Sequence, residues 1–203
     1  MQEQLAWGEP IKKRVWQRIV KHKIQQQAAL LEYFGMIDQA KLLHSASQEI
    51  RSGDVTNREA YAAKLYFQSL FGEGFSRGAD DAINGALNYG YAILLSMLNR
   101  EIVARGYLTQ NGITHRNEYN QYNLACDFME PFRPLVDRMV LENVSLDFER
   151  DDRLLLSDFG NSKVSYRDGQ YRVASVVSYY VQDCLNALNK KMPVDSIQSY
   201  EST

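Results

Sequence analysis

Residues 83–106, INGALNYGYAILLSMLNREIVARG, decide the fold class. They follow the Asp80–Asp81 pair and read as one long helix that stops at Gly106. The same punctuation recurs on both sides. Pro10 stands where a first helical residue belongs and Gly35 where a C-terminal stop belongs; Ile11, Val15 and Ile19 mark an apolar stripe between them. A second helix is expected over about 37–53. A third, TNREAYAAKLYFQSLFG, is expected over 56–72, with Thr56 and Glu59 at capping-box spacing and Gly72 at its end.

Downstream, a turn at Gln110–Gly112 precedes HRNEYNQYNLACDFMEPFRP, residues 115–134. A helix is expected over this stretch, ended or kinked by Pro131, with the pattern resuming through Leu141. Residues 145–160 are acidic and read as irregular. KVSYRDGQYRV, 163–173, places Asp168–Gly169 between two alternating runs, as in a small hairpin. A last helix covers about 174–189. The fold class is therefore mainly α: a multi-helix domain with a small β-hairpin near the C-terminus. The expected organisation is a leading segment at 1–9, a helical catalytic domain at 10–192 and a mobile tail at 193–203.

The chain has 203 residues, 45% hydrophobic and 24% charged, enough for one domain with a substantial core. No apolar run is long enough to span a bilayer, and MQEQLAWGEP lacks the regions of a signal peptide. Cys126 and Cys184 form no CxxC pair, which fits a reducing, cytoplasmic setting. The net charge of −2 argues against indiscriminate coating of nucleic acid. It leaves room for a local basic surface, because Lys12, Lys13, Arg14, Arg18, Lys21 and Lys23 face only Glu3 and Glu9 within residues 1–25. That basic face is read either as a solvated helix surface or as a contact to phosphates.

Three features carry candidate chemistry. Glu59 shares a helix face with Ala62, Ala63 and Tyr66; it is either the capping-box glutamate or a site residue beside small neighbours. Asp127 and Glu130, at i and i+3 among apolar residues, need a cation between them. A divalent metal or Arg133 would serve, the latter as an ion-pair network at the Pro131 kink. His115 joins this group at the start of the same expected helix. Imidazole plus carboxylates suits Mg²⁺ or Mn²⁺ with open positions. His22 and His44 lie in ordinary helical contexts and receive no role. There is no P-loop, no HExxH, no ExxH and no nucleophile elbow. A hard-metal site on helices suits phosphoryl transfer.

EAYAAKLYF, DAINGALNYGYAIL and HRNEYNQYNLACDFMEPFRPLVD together resemble the CRISPR-associated adaptation integrase family, Cas one. The WGEP…VWQRIVKHKI opening and the NEYNQYNL run look most like its type II branch. The resemblance covers nearly the whole chain, with the blocks in family order. It implies a metal-dependent DNA endonuclease and integrase that inserts foreign DNA fragments as spacers into a CRISPR array, through attack of a 3′-hydroxyl on a phosphodiester. Carried over by motif, Glu59, His115 and Glu130 hold the metal, Mg²⁺ or Mn²⁺, and Asp127 supports the site. Asn88 and Tyr89 match a polar pair near it. DNA contacts are expected from Lys12, Lys13, Arg14, Arg18, Lys64, Asn88, Tyr89 and Arg133. The implied partners are double-stranded and branched DNA, the small ferredoxin-like adaptation subunit (Cas two), other type II adaptation proteins and, in the full-length family, a second copy of the chain; no membrane is implied. Family members carry a β-rich N-terminal domain used in dimerisation, so this chain looks like a C-terminal fragment or a short relative. The competing expectation is a non-catalytic helical module that binds DNA or adaptation partners, with the acids in salt bridges.

Overall fold

The computed structural model describes residues 2–145 and 147–201. Its described residues form α1 (Gln2–Leu5), α2 (Glu9–Tyr33), α3 (Ile37–Gln48), α4 (Arg58–Phe71), α5 (Ala82–Ala104), α6 (Asn123–Met129), α7 (Arg133–Asn143), α8 (Arg150–Ser157) and α9 (Val173–Leu188). One antiparallel hairpin, β1 (Lys163–Tyr166) with β2 (Gly169–Arg172), precedes α9. The mainly α expectation with a small hairpin is borne out.

Two long helices organise the rest. α5 is capped by Asp81, whose carboxylate accepts from the Asn84 amide at 2.7 Å. It ends at Gly106, in the left-handed region at φ 79°. Leu87, Leu94, Leu98 and Ile102 line its buried face, against α6, α7, α8 and α9. α2 carries Pro10 in its first turn and packs on α3, α4, α7 and α9. Gly90 is where α5 meets α7: a Cβ there would collide with Cγ1 of Val136. The joint between α6 and α7 is a 3-10 turn at Glu130–Phe132, as the Pro131 expectation required.

Within the element boundaries, four expectations differ from the structure. Residues 115–122 are loop rather than helix, and α6 begins only at Asn123. The second helix stops at Gln48, and a short 3-10 turn follows at Ser52–Asp54. The segment read as irregular contains α8, closed by reciprocal capping between Glu149 and Asp152. The hairpin turn is Arg167–Asp168, with Gly169 already in β2 opposite Tyr166.

Residues near both ends of the described chain pack into the domain. Gln4 pairs with the backbone of Leu108, and the Trp7 indole donates to Asn189 Oδ1 at 2.7 Å. Residues 2–9 are thus part of the fold rather than a leading linker. The sequence reading makes 193–203 a mobile tail; in its described part, 193–201, Val194, Ile197 and Tyr200 are instead buried. Arg18 donates to the carbonyls of Asp195 and Ile197, and the Glu201 amide bonds the Ser165 carbonyl. The physical reason is apolar spacing: Val194, Ile197 and Tyr200 recur every three residues and are buried in the core, where the turn at Val194–Ser196 meets α2 and α9. Met1, Ser202 and Thr203 lie outside the described residues. Both cysteines are free. Among the described residues, no helix is long and apolar enough to cross a membrane.

Candidate active site

α4 brings in Glu59. Its N-terminus is capped by Asp54, whose two carboxylate oxygens accept from the Arg58 and Glu59 amides at 2.9 Å each. The Thr56–Glu59 capping box is not formed. Asn57, in the left-handed region at φ 52°, stands at the cap position instead. Asp54 satisfies the orphan donors, so the Glu59 carboxylate is spared for a tertiary contact. That contact is Lys23 of α2, with Nζ 2.8 Å from Glu59 Oε1.

The same ammonium lies 2.5 Å from Glu130 Oε2. Glu130 sits in the 3-10 joint, almost fully buried, with Arg133 Nη2 3.2 Å from its other oxygen. Burial pushes the Glu130 pKa up, but Lys23 and Arg133 outweigh it and hold the carboxyl below its ordinary value. For Lys23, burial opposes the charge, and Glu130 and Glu59 overcome it, so its pKa is raised. Glu59 and Glu130 therefore converge on one cation-binding point.

His115 and Asp127 form the second pair. Asp127 is completely buried, and its carboxylate accepts from the amides of Ile113, Thr114 and His115 at 2.6, 3.2 and 3.1 Å. His115 Nδ1 lies 2.8 Å from Asp127 Oδ1, and the edge of its ring meets Trp16 at 6.0 Å between centroids. This hydrogen bond, opposed by partial burial and aided by the charges of Asp127, Glu130 and Glu59, raises the His115 pKa. With Nδ1–H directed at Asp127, the neutral ring presents Nε2 as a lone-pair donor, the tautomer that suits a metal ligand. Gly112 makes the wrap possible, because a Cβ there would collide with the His115 carbonyl and press on Asp127 Oδ2.

A third network backs the joint. Asp137 of α7 is buried and accepts from the hydroxyls of Tyr66, at 2.7 Å, and Tyr91. Burial lifts its pKa to about 6, against the opposing pull of the two tyrosine hydrogen bonds. The Arg133 guanidinium lies over the Tyr91 ring at 4.8 Å, and Arg77 approaches it at 5.3 Å.

The sequence-derived residues thus divide. Glu59 and Glu130 meet through Lys23, His115 and Asp127 meet directly, and Arg133 joins the first group. Among the described residues, no three His, Cys, Asp or Glu side chains are gathered as a ready metal cage. Hard carboxylate oxygens and an imidazole still fit Mg²⁺ or Mn²⁺ as a donor set, and the shared ammonium marks where a cation is held. Asn88 is exposed and accepts from Arg77, while Tyr89 packs edge-on against Phe148. Lys13, Arg14 and Lys64 are exposed. Lys12 sits near Glu9, and Arg18 is engaged by the C-terminal carbonyls. His22 is buried against Tyr180, and burial pushes its pKa down to about 3. Lys23, Arg77 and Asp137 were missed by the sequence reading. Lys23 had a signal, since it continues the four-residue spacing of Ile11, Val15 and Ile19 onto the buried face.

A groove of about 540 Å³ opens beside His115 and is also lined by Lys12, Arg116 and Asn117. Glu9 and Glu118 line it too, and Glu9 pairs with both Lys12 and Arg116, so the groove beside His115 is polar with charges of both signs.

Comparison with known proteins gives the family and the fold. A CRISPR-associated endonuclease Cas1 from Neisseria meningitidis serogroup C (strain 8013) is 49% identical over 138 residues, covering 68% of this chain and 45% of that protein. A Cas1 endonuclease from Francisella tularensis subsp. novicida (strain U112) is 31% identical over 146 residues, covering 62% of this chain and 46% of that protein. The chain thus spans less than half the length of these curated relatives. Among solved structures, a partial Cas6-RT-Cas1–Cas2 complex matches at TM-score 0.79 and 20% identity, covering 99% of this chain and 72% of that one. A casposase bound to integration product matches at TM-score 0.75 and 20% identity, covering 97% and 68%. At that identity the two structures show a shared fold. The profile described as "CRISPR associated protein Cas1" matches residues 2–165, well over half of the sequence, and the chain belongs to the Cas1 family.

Proposed function

We propose that this chain carries the catalytic site of a metal-dependent DNA endonuclease and integrase of CRISPR adaptation, of the type II branch, acting in the cytoplasm. The observation that carries the reading is the convergence of Glu59 and Glu130 on one cation, beside a histidine whose tautomer is fixed by buried Asp127. Glu59, His115 and Glu130 would hold the ion, Mg²⁺ or Mn²⁺. A bound divalent ion supplies Lewis-acid polarisation of a phosphodiester and balances the charge that develops during displacement. The chain's own side chains do the rest. Asp127 orients His115 and keeps Nδ1 protonated. Arg133, held in place by Glu130 and Tyr91, adds positive charge where a phosphate arrives. A DNA end would enter by the groove lined by His115 and Lys12, with Lys13 and Arg14 exposed elsewhere on α2 and Lys64 exposed on α4, contacting backbone rather than base edges.

The reaction proposed is in-line attack of a DNA 3′-hydroxyl on a phosphodiester, which inserts a fragment as a spacer. Partners proposed with it are double-stranded and branched DNA and the small Cas two subunit. The fold likeness to a chain from a complex named for Cas1 and Cas2 supports the latter. The type II placement is supported by the 49% identity to the Neisseria protein.

A second reading has its own support: Glu59 and Glu130 are already ion-paired to Lys23 and Arg133. In it the domain is a non-catalytic helical module that binds DNA or adaptation partners. One assay separates the two. Branched DNA with a free 3′-OH is offered with Mn²⁺ to the wild type and to His115→Ala. Strand transfer by the wild type that drops by orders of magnitude in the variant supports the enzyme. Equal transfer by both sinks the site assignment, and no transfer with no metal bound favours the module.

A further inference from the structure

Lys23 is buried on the core-facing stripe of α2, four residues after Ile19. A lysine there is costly unless paired, and it is paired twice, to Glu59 and to Glu130. Arg133 adds a second positive charge on Glu130. Two carboxylates thus face two cations, and the group is already electrically balanced. A divalent ion arriving between Glu59 and Glu130 would leave a buried excess of positive charge unless an ammonium moved away or a phosphate came in with the ion. The side chain suits such a move, because its charge sits at the end of a flexible four-carbon stem, unlike the forked guanidinium of Arg133.

We propose that Lys23 is a resident counter-cation: it fills the position between Glu59 and Glu130 while no divalent ion is bound, and it is displaced when the ion enters. The proposal rests on the metal-site reading above. Its consequence is that Lys23 sets the ion affinity of the site. It keeps two facing carboxylates together in the metal-free protein and competes with the ion for the same oxygens. It also accounts for a ligand set that is not closed into a cage among the described residues.

The test is calorimetric titration with Mn²⁺ of the wild type, Lys23→Met and Glu59→Gln, with a thermal melt of each metal-free protein. Lys23→Met is expected to bind Mn²⁺ about tenfold or more tightly, since a like charge has been removed from beside the ion. Its metal-free melting temperature falls below that of the wild type, and Mn²⁺ restores it. Equal or weaker Mn²⁺ binding by Lys23→Met, with binding abolished by Glu59→Gln, overturns the role of Lys23 and leaves the metal site standing. Absence of Mn²⁺ binding in every protein sinks both. A second measurement covers the case in which Lys23→Met does not fold. In lysine-labelled wild type, the Lys23 ε-methylene resonance is followed by NMR as Mg²⁺ is added. Movement to the position of an exposed lysine supports displacement, and an unmoved resonance at saturation overturns it.

Discussion

Asp127 shows how much one buried side chain can organise. It anchors three successive amides and a histidine ring, so its removal orphans four donors at once. Asp127→Ala is expected to cost roughly 3 kcal/mol or more. Hydrogen exchange of amides 113–115 checks this, and unchanged protection in the variant would refute it. Asp137 gives a pH dependence of known sign. Its folded pKa, about 6, lies above the ordinary 3.8, so between these values the folded state holds a proton that the unfolded state has released. Stability from this group is full below pH about 4 and is lost as the pH rises through 6. Relative to Asp137→Asn, the wild type should lose the equivalent of about 1–3 kcal/mol in thermal melts between pH 4 and 7. A constant difference across that range would show that Asp137 does not titrate there. At this scale residue type and spacing single out His115, Asp127 and Glu130 as candidates and leave Glu59 open as a capping residue; the family resemblance joins them into one proposed set. Lys23 was harder to read, because a lysine on a helix is ordinarily solvated and only its register marked it as inward.

Among the elements, the α5–α7 crossing is held close by Gly90 against Val136. Gly90→Ala would gain about 1 kcal/mol in helix propensity. Overpacking outweighs that gain, for an expected net loss of roughly 1–2 kcal/mol. Val136→Ala in the same chain should recover part of it in denaturant melts, and additive losses would show that the two residues do not share the contact. Helix positions are legible for α2, α4, α5 and α9 from apolar spacing, with glycine stops adding the ends of α2, α4 and α5, although the cap of α4 is Asp54 rather than the Thr56–Glu59 box. The 115–122 stretch was not. Its polar residues suit a helix surface as well as a loop, and what unwinds them is the buried Asp127 carboxylate drawing in the amides of 113–115, a contact between residues on different elements. α8 was obscured by its acidity, which reads as loop composition although Glu149 and Asp152 are capping its first turn.

For the whole molecule, the C-terminal segment is part of the domain. Arg18 ties it to α2 through the carbonyls of Asp195 and Ile197, so Arg18→Ala should lower stability by about 1–3 kcal/mol. The DNA contact expected of Arg18 is tested at the same time. If Lys12, Lys13 and Arg14 neutralise about three phosphates, log affinity should fall against log salt with a slope of about −2 to −3. Fluorescence anisotropy of a labelled duplex measures it. Arg18→Ala should leave that slope in place, whereas a slope reduced by about one in the variant would return Arg18 to the DNA surface.

Local periodicity, glycine stops and side-chain chemistry are enough to place α2, α4, α5 and α9, the small hairpin, the break at Pro131 and the candidate acids and histidine, because each of these is written in neighbouring residues. Three-dimensional packing is what brings Glu59 and Glu130 together across α2 on Lys23, folds the His115 loop onto Asp127, and seats residues 2–9 and 193–201 against the core. Each of these is a contact between residues far apart in sequence, fixed by burial and charge pairing that no local pattern encodes.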